Sequence, residues 1–478
     1  MHHYVLSVNK LLLILCAGGV LATGCVSYRP ARLAADETLG TLEERSLSDP
    51  ALRAFVSTNL QREFPEWPPK EWDLPALTLV AFYFHPSLDV ARAQWGVASA
   101  GKKTAGGRPN PTVSLQPGYN LDAAAGVTPW IPGLTFDWPI ETAGKRGKRI
   151  SHAQHLATVA RLNLLTMAWQ VRGNLRTALL DHAAAARRAA LLQDQFTAEQ
   201  QLVTLLEQRL AAGAIARPEV TPARLALIKT TTDLAEAKRL RAESQARVAE
   251  ALGLPAKAIA GAEFHFDLGS AATTDTELPA QTRRQALLGR ADLLAALAEY
   301  AATESALQLE IAKQFPDVHF NPGYQWDQGE SKWTLGIGLE LPVLNHNRGP
   351  IAETLAKRAE AAAKFVALQA KVIAEIDRAL ANRAAVQEQL GRSETLLDTH
   401  RQQVEAMQAA FNAGGADRLE LQAALVEAAA SELARLDAQF KAQQALGQLE
   451  DALQQPFAAL AVIEHGRNEP PVARKEQP

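Results

Sequence analysis

Cysteine, methionine, aromatic side chains and net charge are all scarce in this sequence. Of its 478 residues, two are Cys, three are Met and 6% are aromatic, and the formal net charge is −3. A chain so close to neutral lacks the basic surface that nucleic-acid binding requires. Three Met are too few for a ladder of soft ligands to a cuprous ion. We therefore expect neither a nucleic-acid partner nor a Met-rich copper site.

Catalytic motifs are also missing. The sequence contains no Gly-x-Ser-x-Gly, no His-Glu-x-x-His and no paired-Cys motif. Residues 96–103 approach a phosphate-binding loop, but Lys103 stands where that motif needs Ser or Thr, and no strand precedes it. We expect no enzyme activity, no resident metal and no cofactor beyond a covalent lipid.

One apolar run lies near the N-terminus. Residues 11–21 are nearly all apolar and follow a basic residue, and small residues then lead to Cys25 in a pattern that resembles a bacterial lipobox. The run is shorter than the roughly 20 residues that span a bilayer, and it is typical of a secretory signal peptide. We predict a signal peptide over residues 1–24 and a lipid on Cys25. The alternative is cleavage near Ala22 with Cys25 as an incidental thiol. Cys16 would leave with the signal, so no intrachain disulfide is expected.

Two short segments of the chain match each other. Residues 111–119 and 316–324 both read Pro, six residues, then Gly-Tyr, and they lie 324 − 119 = 205 positions apart. Apolar and polar residues alternate in both, as in a strand with one apolar face. A second alternating segment follows each one after a polar or Gly-containing break. We predict two β-hairpins, over residues 111–140 and 316–343.

The remaining sequence favours long helices. Hydrophobic residues make up 47% of the chain and are mostly Ala and Leu, and no Pro occurs within 140–217 or 351–455. A helix over residues 150–212 would be about 95 Å long. Gly213 and Gly414, 201 positions apart, are placed to supply the left-handed residue that ends each long helix.

The chain is therefore one unit written twice, in a mainly α fold with a small β part. Each unit consists of a helix, a hairpin, a long helix, a turn and a return helix, over residues 74–255 and 283–456. An irregular link over 256–282 joins the units. We predict an extended tether with one short helix over 25–73, and a disordered tail over 457–478.

The two turns differ in proline content. Pro218 and Pro222 follow the first turn, where the second unit has Leu419 and Ala423. Proline lacks an N–H and disrupts helix interiors. We expect the helical structure at the first turn, which we call the first tip, to be locally broken.

These features together resemble the TolC-like outer-membrane efflux family over nearly all of the mature chain. The order and spacing carry the resemblance more than any single motif. Cys25 and the segment 341–349 look most like the lipoprotein branch of the family, which includes heavy-metal efflux channels. The matching features are the duplicated hairpins, the strand exits Trp138-Pro139 and Leu341-Pro342, the helix entries 144–146 and 347–349, and the turns at Gly213 and Gly414.

The resemblance implies a homotrimer in which each chain gives four strands to one transmembrane β-barrel. The helices would form a coiled-coil tunnel across the periplasm. The implied function is a passive exit duct of a tripartite efflux or type I secretion system, for heavy-metal cations or drugs. Its implied partners are a periplasmic adaptor, an inner-membrane pump of RND or ABC type, and outer-membrane lipid. Barrel geometry agrees, because closure takes about eight strands and four cannot close.

The resemblance also implies roles for individual residues. In the family an acidic constriction closes the periplasmic tip, although charges that merely favour a helix N-terminus give the same pattern. The implied gate residues are Glu420, Asp417, Arg418, Glu219 and Arg217. The implied adaptor-docking residues are Gly213, Ala214, Gly414 and Ala416. The implied aromatic belt at the membrane surfaces consists of Trp130, Trp138, Trp326 and Trp333.

Three histidines are candidates for a metal site. His152 and His155 lie three positions apart, and His346 sits at a strand exit, so metal ligation is conceivable. Without Asp, Glu or Cys partners nearby, solvated histidines are the better interpretation.

A second alternative concerns the whole chain. It could be a lipid-anchored periplasmic coiled-coil scaffold that never spans a membrane. The hairpins favour the channel, because a scaffold has no use for four strands with continuous apolar faces. We therefore predict an outer-membrane location, with the lipid at Cys25 as anchor and the helices extending into the periplasm.

Overall fold

The computed structural model describes residues 28–270 and 280–456. The predicted signal peptide, the predicted lipidation site Cys25 and the predicted tail over 457–478 lie outside the described residues. The chain divides into two compact units, Met1–Arg45 and Ser46–Pro478. In the first unit the structure describes one helix, α1 (Ala35–Glu43).

The second unit is mainly helical with a small amount of sheet, which confirms the predicted fold class at that level. Its helices are α2 (Pro50–Leu60), α3 (Leu74–Phe84), α4 (Pro86–Gly106), α5 (Lys145–Ala211), α6 (Arg217–Leu252), α7 (Ala280–Gly289), α8 (Ala291–Ala312), α9 (Arg348–Asn412) and α10 (Arg418–Leu453). Its strands are β1 (Glu71–Trp72), β2 (Thr112–Tyr119), β3 (Trp130–Ile140), β4 (Glu263–Phe264), β5 (Val318–Asp327) and β6 (Glu330–Leu339). No single helix of the described residues is both long enough and apolar enough to cross a membrane. Helices α3 and α4 meet these two criteria only when they are taken together, and the angle between them is 55°.

Helices α5 and α9 are longer than any globular domain needs. They contain 67 and 65 residues, which correspond to about 100 Å each. Ala and Leu, the best helix formers, dominate both sequences. Helix α5 packs against α6, α9 packs against α10, and α10 also packs against α5. Buried residues four apart, such as Leu175 and Leu179 of α5 and Val372 and Ile376 of α9, form these contacts. The two long helical hairpins therefore lie side by side.

The four longer strands form one antiparallel sheet in the order β2-β3-β5-β6. The short connection between β5 and β6 passes through Gln328 and Gly329, whose φ angles are 49° and 99°. Positive φ at both central residues gives the tight turn that suits the twist of a hairpin. Among the strands that the structure describes, β2 and β6 each have a neighbour on one side only, so both edges of the sheet lack a described partner in the single chain.

The prediction for residues 25–73 was an extended tether with one short helix; the structure has that helix as α2, but it differs from an extended tether in the rest of the described segment. This stretch holds two helices, α1 and α2, and from Leu47 onward its apolar residues enter the core. Leu52 and Trp72 are at most 1% exposed and pack with α3, α5 and α6, and strand β1 pairs with β4 in the inter-repeat link. The prolines and charges suggested an extended segment. The apolar residues between them bury enough surface to hold the segment against the helices.

Candidate functional site

One face of the sheet is continuously apolar and uncovered in the single chain. On the edge strands Leu115 is 77% exposed and Leu335 is 67% exposed. Leaving such a face in water forgoes roughly 25 cal/mol for every Å² that could be buried. The face therefore needs an apolar surrounding. Its other exposed members include Val113, Phe136, Trp138, Ile140, Phe320, Ile337 and Leu339.

The opposite face of the sheet is polar. Ser114 lies opposite Thr135 across β2 and β3. Between β3 and β5, His319 Nδ1 lies 2.9 Å from Asp137 Oδ1, so the two side chains pair across the sheet. Exposed Thr334 belongs to the same face on β6. With one apolar and one polar face, the sheet has the pattern of a barrel wall between lipid and water.

Aromatic side chains lie toward both ends of the apolar face. At the end with the hairpin loops, the rings of Tyr119 and Trp130 lie 5.1 Å apart, and those of Tyr324 and Trp333 lie 4.8 Å apart. Trp138 lies on β3 near the end that faces the helices, 59% exposed. The eight positions between Trp130 and Trp138 span about 26 Å of strand, close to the roughly 25 Å apolar band of outer-membrane barrels. The predicted belt residue Trp326 is partly buried and lies one residue before the end of β5, next to the hairpin turn.

A buried lysine joins the sheet to the long helix. Lys145, the first residue of α5, is 7% exposed, and its Nζ donates to Phe315 O at 2.7 Å and to Asp317 Oδ1 at 2.8 Å. Thr142 N donates to the same Asp317 oxygen at 2.8 Å. Burial alone would raise the pKa of Asp317, but these hydrogen bonds bring it below its ordinary value. The ionised pair ties the start of the second hairpin to α5.

The turns that end α5 and α9 have the same backbone geometry. Gly213 and Gly414 have φ angles of +71° and +76°, which glycine adopts without strain. In the first turn Ala214 N donates to Arg209 O at 2.9 Å, and in the second Gly415 N donates to Ala410 O at 2.8 Å. These are Schellman caps, which satisfy the carbonyl groups at a helix end.

Glutamates cap the helices that follow both turns. Ala216 N donates to Glu219 Oε1 at 2.8 Å, and Asp417 N donates to Glu420 Oε2 at 2.9 Å. Asp417 adds a second cap, because its Oδ1 accepts from Leu419 N at 2.7 Å and from Glu420 N at 2.9 Å. Both Glu219 and Glu420 therefore occupy capping positions in this single chain.

One ion pair ties the two turns together. Arg209, in the last turn of α5, donates from Nη2 to Asp417 Oδ2 at 2.6 Å. This hydrogen bond, together with the backbone donors, lowers the pKa of Asp417. Arg217 and Arg418 are exposed and form no ion pair with any residue in 28–270 or 280–456. The sequence pattern singled out Arg217 and Arg418 but not Arg209, because nothing in the sequence links positions 208 apart in different units.

The predicted break at the first tip is wrong. Helix α6 runs without interruption through Pro218 and Pro222. Pro218 stands in the first turn, where the N–H has no helical partner. Pro222 deletes one internal hydrogen bond, and the carbonyl left without it belongs to Pro218, which is exposed to water. Val220, 1% exposed, anchors this turn in the packing.

The three candidate histidines do not converge. His152 Nδ1 lies 2.8 Å from Ala302 O, His155 is partly buried, and His346 is exposed beside the start of α9. Within the part of the chain that the structure describes, no three His, Cys, Asp or Glu side chains are grouped to hold a metal ion.

Comparison with protein families gives a match over most of the chain. The model of the outer membrane efflux protein family, OEP, matches residues 84–254 and 282–454. The cobalt-zinc-cadmium resistance protein CzcC of Cupriavidus metallidurans is 23% identical over 232 residues, 48% of this chain and 54% of that protein. This chain thus spans about half the length of that relative.

Solved structures show the same fold. The outer membrane protein VceC of Vibrio cholerae superposes with a TM-score of 0.64 at 18% identity, over 80% of this chain and 96% of that one. The CmeC outer membrane channel of Campylobacter jejuni superposes with a TM-score of 0.63 at 13% identity, over 94% of this chain and 98% of that one. At such low identity the likeness establishes the fold alone.

Proposed function

This chain belongs to the outer membrane efflux protein family, and we propose that it forms the outer-membrane exit duct of a tripartite efflux or type I secretion system. The predicted resemblance to the TolC-like family is confirmed. The family and the fold are those of efflux channels, which are transporters rather than enzymes. In our proposal the channel is a passive conduit, and an inner-membrane pump of RND or ABC type supplies the energy.

The observation that carries the proposal is the sheet with a bare apolar face and two unpaired edges. Three chains around one axis supply twelve strands, more than the roughly eight that close a barrel. Strand β6 of one chain pairs with β2 of the next, which removes both edges. The apolar face then meets lipid and the polar face, with Asp137 and His319, lines a wet lumen. A periplasmic scaffold would leave the apolar face in water.

Planar-bilayer recording separates the channel from the scaffold. We expect purified full-length protein to insert and give stepwise conductance, and to run as a heat-resistant trimer on a gel. A lipid-anchored scaffold binds bilayers without conductance. Stable binding with no conductance steps would contradict the proposal.

The helices extend the duct into the periplasm. From the junction at Lys145 to the turn at Gly213, α5 covers about 100 Å. Three chains supply six such long helices, enough to enclose a tunnel in continuation of the barrel. The turns at Gly213 and Gly414 are then the end farthest from the outer membrane, where the pump lies.

We place the gate and the adaptor contact at these turns. Small residues there let a helical hairpin of a periplasmic adaptor approach closely. In a trimer, three copies of Glu420 gather near one axis and repel each other, so the closed tip depends on contacts such as Arg209–Asp417. The proposed docking residues are Gly213, Ala214, Gly414 and Ala416, and the proposed gate residues are Glu420, Asp417, Arg418, Glu219 and Arg217.

For the cargo we propose heavy-metal cations, with drugs as the second candidate. The likeness to a protein named for cobalt, zinc and cadmium resistance supports the first class. The acidic residues at the tip would suit cations. Growth of a deletion strain on these three metals, compared with growth on a panel of drugs, decides between the classes.

Cys25 is proposed as the lipid anchor in the outer membrane. We expect palmitate label in the wild type and none in Cys25→Ser, because the cysteine thiol is the attachment point of the predicted lipobox. Metabolic labelling followed by a gel measures this. The variant should still assemble, since barrel closure does not depend on the lipid. Equal label in both proteins would contradict the assignment.

A further inference from the structure

A cleft lies where the first hairpin meets the long helix. It has a volume of about 370 Å³ and is lined by Arg108, Trp138, Ile140, Glu141 and Arg146, among others. Arg108 comes from the segment before β2, Trp138 and Ile140 from the end of β3, and Arg146 from the start of α5. We call this cleft the junction cleft.

The junction cleft has an excess of positive charge. Arg108 is exposed and forms no hydrogen bond or ion pair with any described residue of the chain. Arg146 Nε donates to Gly106 O at 2.7 Å, and none of the described carboxylates pairs with its guanidinium. The one acid of the cleft, Glu141, is already held by both Nη atoms of Arg149, one of them at 2.9 Å. Two guanidinium groups are therefore available to an anion.

The apolar lining of the cleft belongs to the outward face of the sheet. Trp138 is 59% exposed and Ile140 is 49% exposed, and both continue the row of apolar residues on β3. Beyond them the chain turns polar and enters α5 at Lys145. The cleft is thus lined by two arginines together with an indole and an aliphatic side chain, at the boundary between the apolar and polar surfaces.

At the matching position of the second unit the positive charge is paired with an acid. With the offset of 205, Arg108 corresponds to Lys313, whose Nζ is paired with Glu310 Oε1 at 2.7 Å. The residue of the first unit that corresponds to Glu310 is Ala105, which carries no charge. One substitution between the two units therefore leaves the positive charge neutralised in the second and free in the first.

We propose that the junction cleft binds the phosphodiester headgroup of a phospholipid from the periplasm-facing leaflet of the outer membrane. The inference rests on the proposed placement of the sheet in the bilayer. Arg108 and Arg146 hold the phosphate oxygens through charge-assisted hydrogen bonds. The acyl chains lie along Trp138 and Ile140. Free phosphate shares the headgroup chemistry but leaves the apolar half of the cleft unused.

Native mass spectrometry of the full-length protein in detergent, titrated with dioctanoyl-phosphatidylglycerol, tests the proposal. We expect one tightly bound lipid per chain in the wild type. Arg108→Gln and Arg146→Gln should each weaken binding about tenfold, the usual effect of losing one hydrogen bond to a charged group. Arg108 has no described partner, so Arg108→Gln should fold as the wild type does.

Matched controls come from the second unit. Lys313→Gln and Arg348→Gln change charge near the same membrane boundary, and they should leave lipid binding within twofold of the wild type. An equal loss in these controls would reduce the effect to general surface charge and overturn the proposal. Inorganic phosphate that competes as well as the lipid would overturn it in favour of a free-anion site.

Planar-bilayer recording of the same samples separates this inference from the proposed function. Conductance steps with no lipid retained in the titration overturn the junction cleft alone. Failure of the wild type to give any conductance overturns the membrane placement and the inference with it. Conductance together with arginine-dependent lipid retention supports both.

Discussion

Leu335→Arg should abolish the proposed heat-resistant trimer, while Thr334→Arg should leave it intact. Leu335 is 67% exposed on the apolar face of edge strand β6, and Thr334 is its neighbour on the polar face. A lipid-facing arginine costs about 2–4 kcal/mol near the bilayer midplane. Three copies per trimer multiply this to roughly 6–12 kcal/mol. The readout is the fraction of trimer that survives heating on a gel.

The choice of control matters for this pair. His319 also lies on the polar face, but its Nδ1 contacts Asp137, so its replacement removes a pair as well as adding charge. Thr334 forms no such pair with any residue that the structure describes. Equal loss of trimer in Leu335→Arg and Thr334→Arg would show that the two faces of the sheet do not separate lipid from water.

Arg209→Gln should shift the reconstituted channel toward its open state. Arg209 is the described residue that ties the first turn to Asp417 at the second. An exposed ion pair contributes about 0.2–1 kcal/mol, so three chains together lose roughly 0.6–3 kcal/mol. That corresponds to an increase of about 3- to 150-fold in the ratio of open to closed channels. Single-channel open probability in planar bilayers measures it.

Arg224→Gln is the matched control for Arg209→Gln. It removes the same charge and an ion pair of similar exposure, with Glu207, but that pair joins α5 to α6 within one helical hairpin and does not connect the two turns. Its open probability should stay close to that of the wild type. Glu420→Gln tests another property, the preference for cations, because it removes three negative charges from the tip. Unchanged open probability in Arg209→Gln would exclude the ion pair from the gate.

The ion pair should not respond to pH in the neutral range. Because the pKa of Asp417 is lowered in the folded chain, its stabilising effect is present above the ordinary pKa of about 3.9. The effect fades only as the pH falls through the lowered value. Channel opening that depends on this pair should therefore be the same at pH 7.5 and pH 5.5.

Local patterns in the sequence were enough to place the hairpins and the turns. Strand alternation over 112–119 is visible because one face of the sheet is apolar and the other polar. Gly213 and Gly414 are visible because a helix end with positive φ favours glycine. In both cases a few neighbouring residues determine the structure.

Contacts between distant residues were not predictable in the same way. Arg209 and Asp417 lie on separate helical hairpins, and Asp137 and His319 lie on separate strand pairs, so no local spacing links them. The buried part of the segment over 46–73 was missed for a related reason. Its apolar residues share one core with α3, α5 and α6, and the last two of these helices follow much later in the chain.

The two turns of one chain are alike in their backbone and unlike in their charge. Both have a Schellman cap and a capping glutamate, but only the second has the Asp417 cap and the contact from Arg209. Around the threefold axis of the proposed trimer, this end of the duct would show pseudo-sixfold symmetry, with two kinds of turn in alternation. A ring of six identical partner subunits could contact every turn through the shared backbone shape. A contact directed at the Asp417 side chain would engage only three of the six.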